Sequence, residues 1–238
     1  MLGRPRTRTC CRRRGASTSL HALPTQEALH ASLAAEYAAA ASSYDARWVA
    51  YTTATVAATL GLLPRLEEGA VVLDLACGTG ALARGLAARG EPLCEYVGVD
   101  LSKEMLREAS SQALPFSARW LCAPADDALP LASGTVDVVL CANSFHFFAD
   151  QRRCLAEATR VLRPGGLLIL ADWNADYWTC QLLEWVLARK GAPSGNILRV
   201  RDVTQLVAAQ PGLCVDTLVT PRLLFWWGYM VVRSVKER

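Results

Sequence analysis

The stretch Val71-Val72-Leu73-Asp74-Leu75-Ala76-Cys77-Gly78-Thr79-Gly80 constrains the fold of this chain more than any other. A short apolar run, Ala70 to Leu75, ends in a glycine turn that opens straight into a helical run from Gly80 to Arg89. Successive apolar residues suit a strand buried on both faces, and so a parallel sheet with helices on either side. Glycines in such a turn let the backbone approach a ligand closely. About twenty residues further on, Asp100 ends a second apolar run, where a carboxylate can accept hydrogen bonds from both hydroxyls of a ribose. Turn and acid together predict an adenosine-type site.

The rest of the chain repeats the alternation. Strands are predicted at Glu95 to Val99, Arg119 to Cys122, Val136 to Cys141 and Leu167 to Ala171, with helices at Ser102 to Gln112 and Gln151 to Leu162 between them. One helix starts behind a Thr25 N-cap, and a second follows Ser43 and runs to about Leu62. Helices Tyr177 to Lys190 and Val200 to Ala209 precede two last strands, Leu213 to Val219 and Leu223 to Val232. The link through Thr220, Pro221 and Arg222 is too short for a crossover, so that pair is antiparallel. The expected fold is α/β, a doubly wound seven-stranded sheet, mostly parallel with an antiparallel C-terminal strand.

Composition narrows the setting. With 238 residues, 52% hydrophobic and 20% charged, the chain reads as one globular domain, residues 25–238, behind a leader, residues 1–24. Six of the arginines fall within residues 1–26, which hold no acid, so the remaining body carries nineteen basic against twenty-two acidic side chains. Arginine and hydroxyl residues without acids give the leader the composition of a transit peptide, which would place the protein in a chloroplast or mitochondrion; otherwise a cytoplasmic location is expected. The acidic body disfavours nucleic acid as a partner. Leu223 to Val232 spans about half of a bilayer-crossing helix, so no transmembrane segment is expected. Nine scattered cysteines without a C-x-x-C pair, and only three histidines, speak against a disulfide scaffold and a metal site and for a reducing compartment.

Gly78-Thr79-Gly80-Ala81-Leu82-Ala83 also satisfies the six-residue dinucleotide fingerprint, which keeps an NAD(P)-dependent oxidoreductase open as an alternative. Asp74 inside the strand, the absence of a Tyr-x-x-x-Lys pair and the antiparallel sheet end argue against it.

With Asp74 to Gly80, Gly98-Val99-Asp100-Leu101-Ser102, Leu129-Pro130-Leu131, Val136-Asp137-Val138-Val139 and Arg160-Val161-Leu162-Arg163-Pro164-Gly165-Gly166, the chain from about residue 35 onward resembles the class I S-adenosylmethionine-dependent methyltransferases, in the small-molecule, type 11-like branch. The resemblance implies a Rossmann-like fold, S-adenosyl-L-methionine as cofactor and a small-molecule substrate. Gly78 and Gly80 would pass under the methionine moiety, Asp74 would hold the turn and the amino group, Asp100 would bind the ribose, and Leu101 would pack on the adenine. Ala125 stands where the family carries its adenine-contacting Asp, so that contact goes to Asp126, with Asp127 close behind. Ala76 replaces the family's first glycine, which is tolerable only if its φ stays negative. Tyr44 and Asn143 complete the cofactor set. A non-enzymatic protein that retains the cofactor pocket is a further alternative, because an intact turn argues for binding and not for turnover.

Substrate is expected above the carboxyl ends of the strands. Asn143, Ser144, Phe145 and His146 follow the fourth strand, Asp172 and Trp173 the fifth, with Tyr177 and Trp178 beyond. His146 is the candidate catalytic base, against the plainer reading of a pocket-wall histidine. Trp48, Phe145, His146, Asp172, Trp173 and Tyr177 are the candidate substrate pocket, with Asp172 equally suited to capping the following helix and the aromatics to ordinary packing.

Overall fold

Parallel strands fed by alternating helices build the sheet of this protein, seen in a computed structural model that describes residues 25–189 and 196–237. The basic leader, Cys10, Cys11 and Lys190 lie outside the described residues. Helix α1 (Gln26–Gly61) leads into β1 (Ala70–Leu75), α2 (Ala81–Ala88), β2 (Leu93–Asp100), α3 (Lys103–Ser110) and β3 (Ser117–Cys122). Then come β4 (Val136–Ala142), a single 3-10 turn (Phe145–Phe147), α4 (Gln151–Val161), β5 (Leu162–Trp173), α5 (Trp178–Arg189), α6 (Val200–Ala208), β6 (Leu213–Val219), β7 (Arg222–Leu223) and β8 (Trp227–Lys236). The order across the sheet is β3-β2-β1-β4-β5-β8-β6, with β7 paired to β8. The first five strands are parallel, and β8 runs antiparallel to both β5 and β6.

The double burial read from β1 has a direct physical basis. Leu73 and Leu75 face a layer built with Leu155 and Ala158 of α4 and Val203 and Val207 of α6. Val72, one residue out of phase, faces the opposite layer with Leu60 of α1 and Leu82 and Leu86 of α2. All these side chains are buried.

Two expectations are corrected. The N-terminal helices do not divide at Ser43: the helix runs through it and bends at Trp48, whose φ of −113° and ψ of 15° are not helical. Anchors on either side fix the bend. Asp45 holds Thr79 and Arg84 near the start of α2, and Tyr51 reaches Asn143 beyond β4. The apolar run from Leu223 is likewise not one strand. Leu224 and Phe225 adopt φ of +48° and +71°, and Arg222 pairs with Gly228 and Leu223 with Trp227, so the run folds into a hairpin with a three-residue loop. Gly228 permits this, because a Cβ there would stand 2.2 Å from the Tyr177 ring.

One half-buried side-chain amide at the edge of the cavity described below joins α1 to the sheet. Asn143 sits at φ +60°, a conformation asparagine tolerates better than most residues. Its Oδ1 accepts from the Tyr51 hydroxyl at 2.8 Å and the Tyr229 hydroxyl at 2.9 Å, and its Nδ2 donates to Thr55 Oγ1 at 3.1 Å. The Trp173 indole N–H in turn donates to the Tyr51 oxygen at 2.6 Å. Asn143→Ala strands the two buried tyrosine hydroxyls and leaves alanine at positive φ. It is expected to cost about 3 kcal/mol, seen as a fall of roughly 6–12 °C in the thermal midpoint; an unchanged midpoint would show that water replaces the amide without loss.

Candidate cofactor and active site

The carboxyl ends of β1, β2 and β4 open into a cavity of about 1040 Å3, mouth included, roofed by one face of α1. Its floor is the glycine turn. Cys77 N–H donates to Val99 O at 3.0 Å and Gly80 N–H to Cys77 O at 2.9 Å, which tie the turn to the end of β2. Gly78, at φ +52°, has nothing within 4 Å of the place a Cβ would occupy, so this backbone is open to a ligand. Gly80 serves another purpose: a Cβ there would stand 3.0 Å from the Trp120 ring and 3.3 Å from the Ala109 Cβ, and the residue does not line the cavity. Ala76 occupies φ +56°, so the condition of a negative φ is not met. A methyl-bearing residue is held in the left-handed region at a cost of about 1–2 kcal/mol.

Three carboxylates lie along the cavity, each differently held. Asp100 accepts from Gly78 N–H and Ser102 N–H, both at 2.8 Å, one on each oxygen, which leaves further lone pairs for a diol. Burial pushes its carboxyl up, and these backbone donors oppose the shift. Asp74, at the end of β1, is fully buried and hydrogen-bonded by the Tyr96 hydroxyl; burial raises its carboxyl from 3.8 to about 7. Asp126 accepts from Ala149 N–H at 2.9 Å, and His30 Nε2 lies 2.8 Å from its other oxygen. Asp127 points out of the cavity and pairs with Arg153.

Leu101, Met105, Ala125 and Phe148 give apolar walls near Asp100 and Asp126, and Tyr37, Tyr44, Phe147, Asn143 and Ser144 surround the remainder. The Tyr37 and Tyr44 hydroxyls are pushed up by burial, with Asp100 adding in the same direction, so both stay protonated. Sequence reasoning found Tyr44 but missed His30, Leu33, Ala34, Tyr37, Thr52, Thr55 and Val56, all of α1. Their three- and four-residue spacing marks one helical face, a signal blurred by alanines all round the helix.

The six residues grouped as a substrate pocket do not line this cavity. Phe145 is buried core, edge-on to Phe148. Trp48 is 43% exposed, against Tyr51. Tyr177 packs under Gly228. His146 is buried, stacked on Trp173 with centroids 4.8 Å apart, and its Nδ1 lies 2.7 Å from Asp172 Oδ1. Asp172 also accepts from His146 N–H at 2.9 Å and Trp173 N–H at 2.7 Å. It therefore braces the turn after β4 and does not cap α5; Asn174, whose Oδ1 accepts from Asp176 N–H at 2.9 Å, closes the turn that precedes that helix. Among the described residues no cluster of side chains could hold a metal ion, and no helix is long and apolar enough to cross a membrane.

An adenosine-bearing ligand fits this arrangement on the structure's own terms: open backbone at Gly78, a doubly anchored carboxylate at Asp100, and apolar walls leading to a second carboxylate. Residues 73–170 match the family described as "Methyltransferase domain", type 11. A ubiquinone/menaquinone biosynthesis C-methyltransferase of Syntrophotalea carbinolica is 39% identical over 104 residues, 43% of this chain and 44% of its own length. A demethylmenaquinone methyltransferase of Thermus thermophilus is 42% identical over 104 residues, 43% of this chain and 46% of its own. The chain thus spans about half the length of these curated relatives. Among solved structures, a methyltransferase in complex with the Trm112 methyltransferase activator of Haloferax volcanii superposes with a TM-score of 0.72 at 21% identity, over 85% of this chain and 98% of that one. Geranyl diphosphate methyltransferase, in complex with GPP and sinefungin, gives 0.62 at 20% identity over 77% of each chain. At such identities the structural likeness is one of fold.

Two substitutions probe the floor. Ala76→Gly relieves the left-handed alanine and is expected to raise the thermal midpoint by about 2–4 °C; a lowered midpoint would mean that the turn does not strain the residue. Asp74 has a folded pKa above its unfolded value, so its contribution to stability is fully present below about 4 and is lost as pH rises through about 7. Asp74→Asn removes that titration and is expected to flatten the dependence of thermal midpoint on pH across this window; an unchanged slope would assign it to other groups.

Proposed function

We propose that the chain, whose residues 73–170 match the methyltransferase domain family of type 11, is an S-adenosylmethionine-dependent methyltransferase acting on a small organic acceptor. The observation that carries this reading is the Asp100 carboxylate, fixed by Gly78 and Ser102 N–H over an open glycine backbone. Asp100 receives the ribose hydroxyls, while Leu101, Ala125 and Phe148 take the base, with Asp126 at its polar edge. Asp74 and the turn hold the amino-acid end.

Bound cofactor supplies an electrophilic methyl carbon on a sulfonium, whose displacement releases a neutral thioether. The chain's own work is then alignment and exclusion of water. Tyr37, Tyr44 and Phe147 present ring faces and edges suited to a positively charged sulfur and a flat acceptor. His146 lies behind that wall, so in this reading it positions the turn carrying Asn143, Ser144 and Phe147 and takes no proton from the acceptor. The relatives' roles in quinone biosynthesis make a flat, electron-rich ring the acceptor class to try first.

In calorimetry, wild-type protein is expected to bind S-adenosylmethionine, and Asp100→Ala to weaken it about a hundredfold, the loss of two charge-assisted hydrogen bonds. Asp100→Asn, which keeps an acceptor oxygen, should fall between the two. Equal affinity in all three would end the site assignment, and stabilisation by NADP(H) without stabilisation by S-adenosylmethionine would favour an oxidoreductase. Failure of methyl-labelled cofactor to label any component of a cell extract, despite tight binding, would leave a binding protein rather than an enzyme.

A further inference from the structure

The carboxyl end of the sheet carries an exposed aromatic surface that the cavity does not use. Phe225 is 98% exposed at the apex of the β7–β8 loop, between Leu224 at 44% and Trp226 at 65%. Thr179 donates to Trp226 O at 2.9 Å, which sets this loop against the start of α5. From there Trp178, Leu182 and Trp185 follow at helical spacing, all exposed, with Arg189 one turn on. On the other side a train of rings, Trp226, Trp227, Trp173, Tyr51 and Trp48, leads back to the exposed bend of α1, with Tyr51 joined to Trp173 by its hydrogen bond.

Cations are interleaved with these rings. Arg47 lies 5.3 Å from the Trp48 ring centroid, Arg189 3.9 Å from that of Trp185 and Arg222 5.5 Å from that of Tyr177. Most arginines elsewhere, such as Arg84 and Arg153, pair with carboxylates; among the described residues these three do not. Of the acids beside these rings, Asp176 accepts from Val200 N–H, Glu184 from Ile197 N–H, and Asp45 pairs with Arg84.

We propose that this aromatic and arginine surface docks the protein on an anionic lipid bilayer. Tryptophan and phenylalanine with arginine form the composition of an interfacial anchor, in which rings enter the headgroup boundary and cations meet lipid phosphate. The exposure agrees: the three-residue hairpin loop presents Phe225 almost wholly to solvent, suited to a fluid interface. Charge favours this orientation, because the body as a whole is acidic while three of its arginines without a carboxylate partner lie among these rings. Docked so, the end of the sheet that bears the cavity faces the membrane. This goes beyond the methyltransferase reading and is tested without cofactor or acceptor.

The test is co-sedimentation of the full chain with vesicles of phosphatidylcholine alone and of phosphatidylcholine containing a quarter phosphatidylglycerol. Wild type is expected to sediment with the mixed vesicles, and acyl-brominated phosphatidylcholine to quench its tryptophan emission. Phe225→Ser, at a site too exposed to affect folding, and Phe225→Ser combined with Trp226→Ser should lower partitioning, the pair roughly tenfold or more, with thermal midpoint unchanged. Arg189→Gln with Arg222→Gln should weaken binding to the phosphatidylglycerol vesicles only. The proposal is overturned if wild type stays in solution, if the variants sediment as wild type does, which would assign attachment to the basic leader, or if the surface instead forms a dimer that Phe225→Ser dissociates.

Discussion

The hydrogen-bond satisfaction of one half-buried amide holds the roof of this site to its floor. Asn143 leaves the end of β4 in a left-handed conformation and engages hydroxyls from α1 and β8, two elements far apart in sequence. Because burial denies water to Thr55 and Tyr229, their hydroxyls depend on the amide, and the network has little freedom to slide. Asp45 supplies the second fastening, through Thr79 and Arg84. Between the two the helix bends, and the face running from His30 to Val56 is laid along the cavity. These two polar anchors place the cavity residues on α1 around the bend, and His30 against Asp126 places its first turns.

The sheet and its helices were legible because they rest on patterns of local range. A short apolar β1 buried on both faces, a glycine turn, and a short link towards the last strands are each read from neighbours in the chain. Asp74, Asp100 and Gly78 were legible for the same reason, since the turn's chemistry is compressed into the end of one strand and its distance to the next. The acceptor side was not. His146 and Trp173 stand after strand ends, where substrate is expected, yet Asp172 draws the histidine inward and stacks it on the indole. A side chain two or three residues past a strand can turn either way, and the choice is made by partners that only the fold brings near. The α1 face escaped notice because alanine satisfies both buried and exposed positions, so its periodicity carries little contrast. The hairpin in Leu223 to Val232 escaped because hydrophobicity alone does not distinguish a buried strand from exposed apolar residues.

The electrostatics divide the cavity into unlike ends. Asp100 is held by backbone donors, which favour its charged form against burial, whereas Asp74 has a single tyrosine donor and full burial, and titrates near neutrality. A neutral diol is suited to the first. A cationic group placed near the second would stabilise the carboxylate and release a proton into solvent. The tyrosines of α1, whose hydroxyls are held protonated, add polarity to the cavity without adding negative charge.

The alanine at position 76 reads differently once the turn's other bonds are considered. With Cys77 N–H on Val99 O and Gly78 N–H on Asp100, the floor is held in shape by its own hydrogen bonds. A β-carbon at this bend raises the energy of the folded chain but also narrows what the unfolded chain can explore. A floor that arrives rigid has little disorder left to surrender when a ligand settles on it, so more of the contact energy survives as affinity.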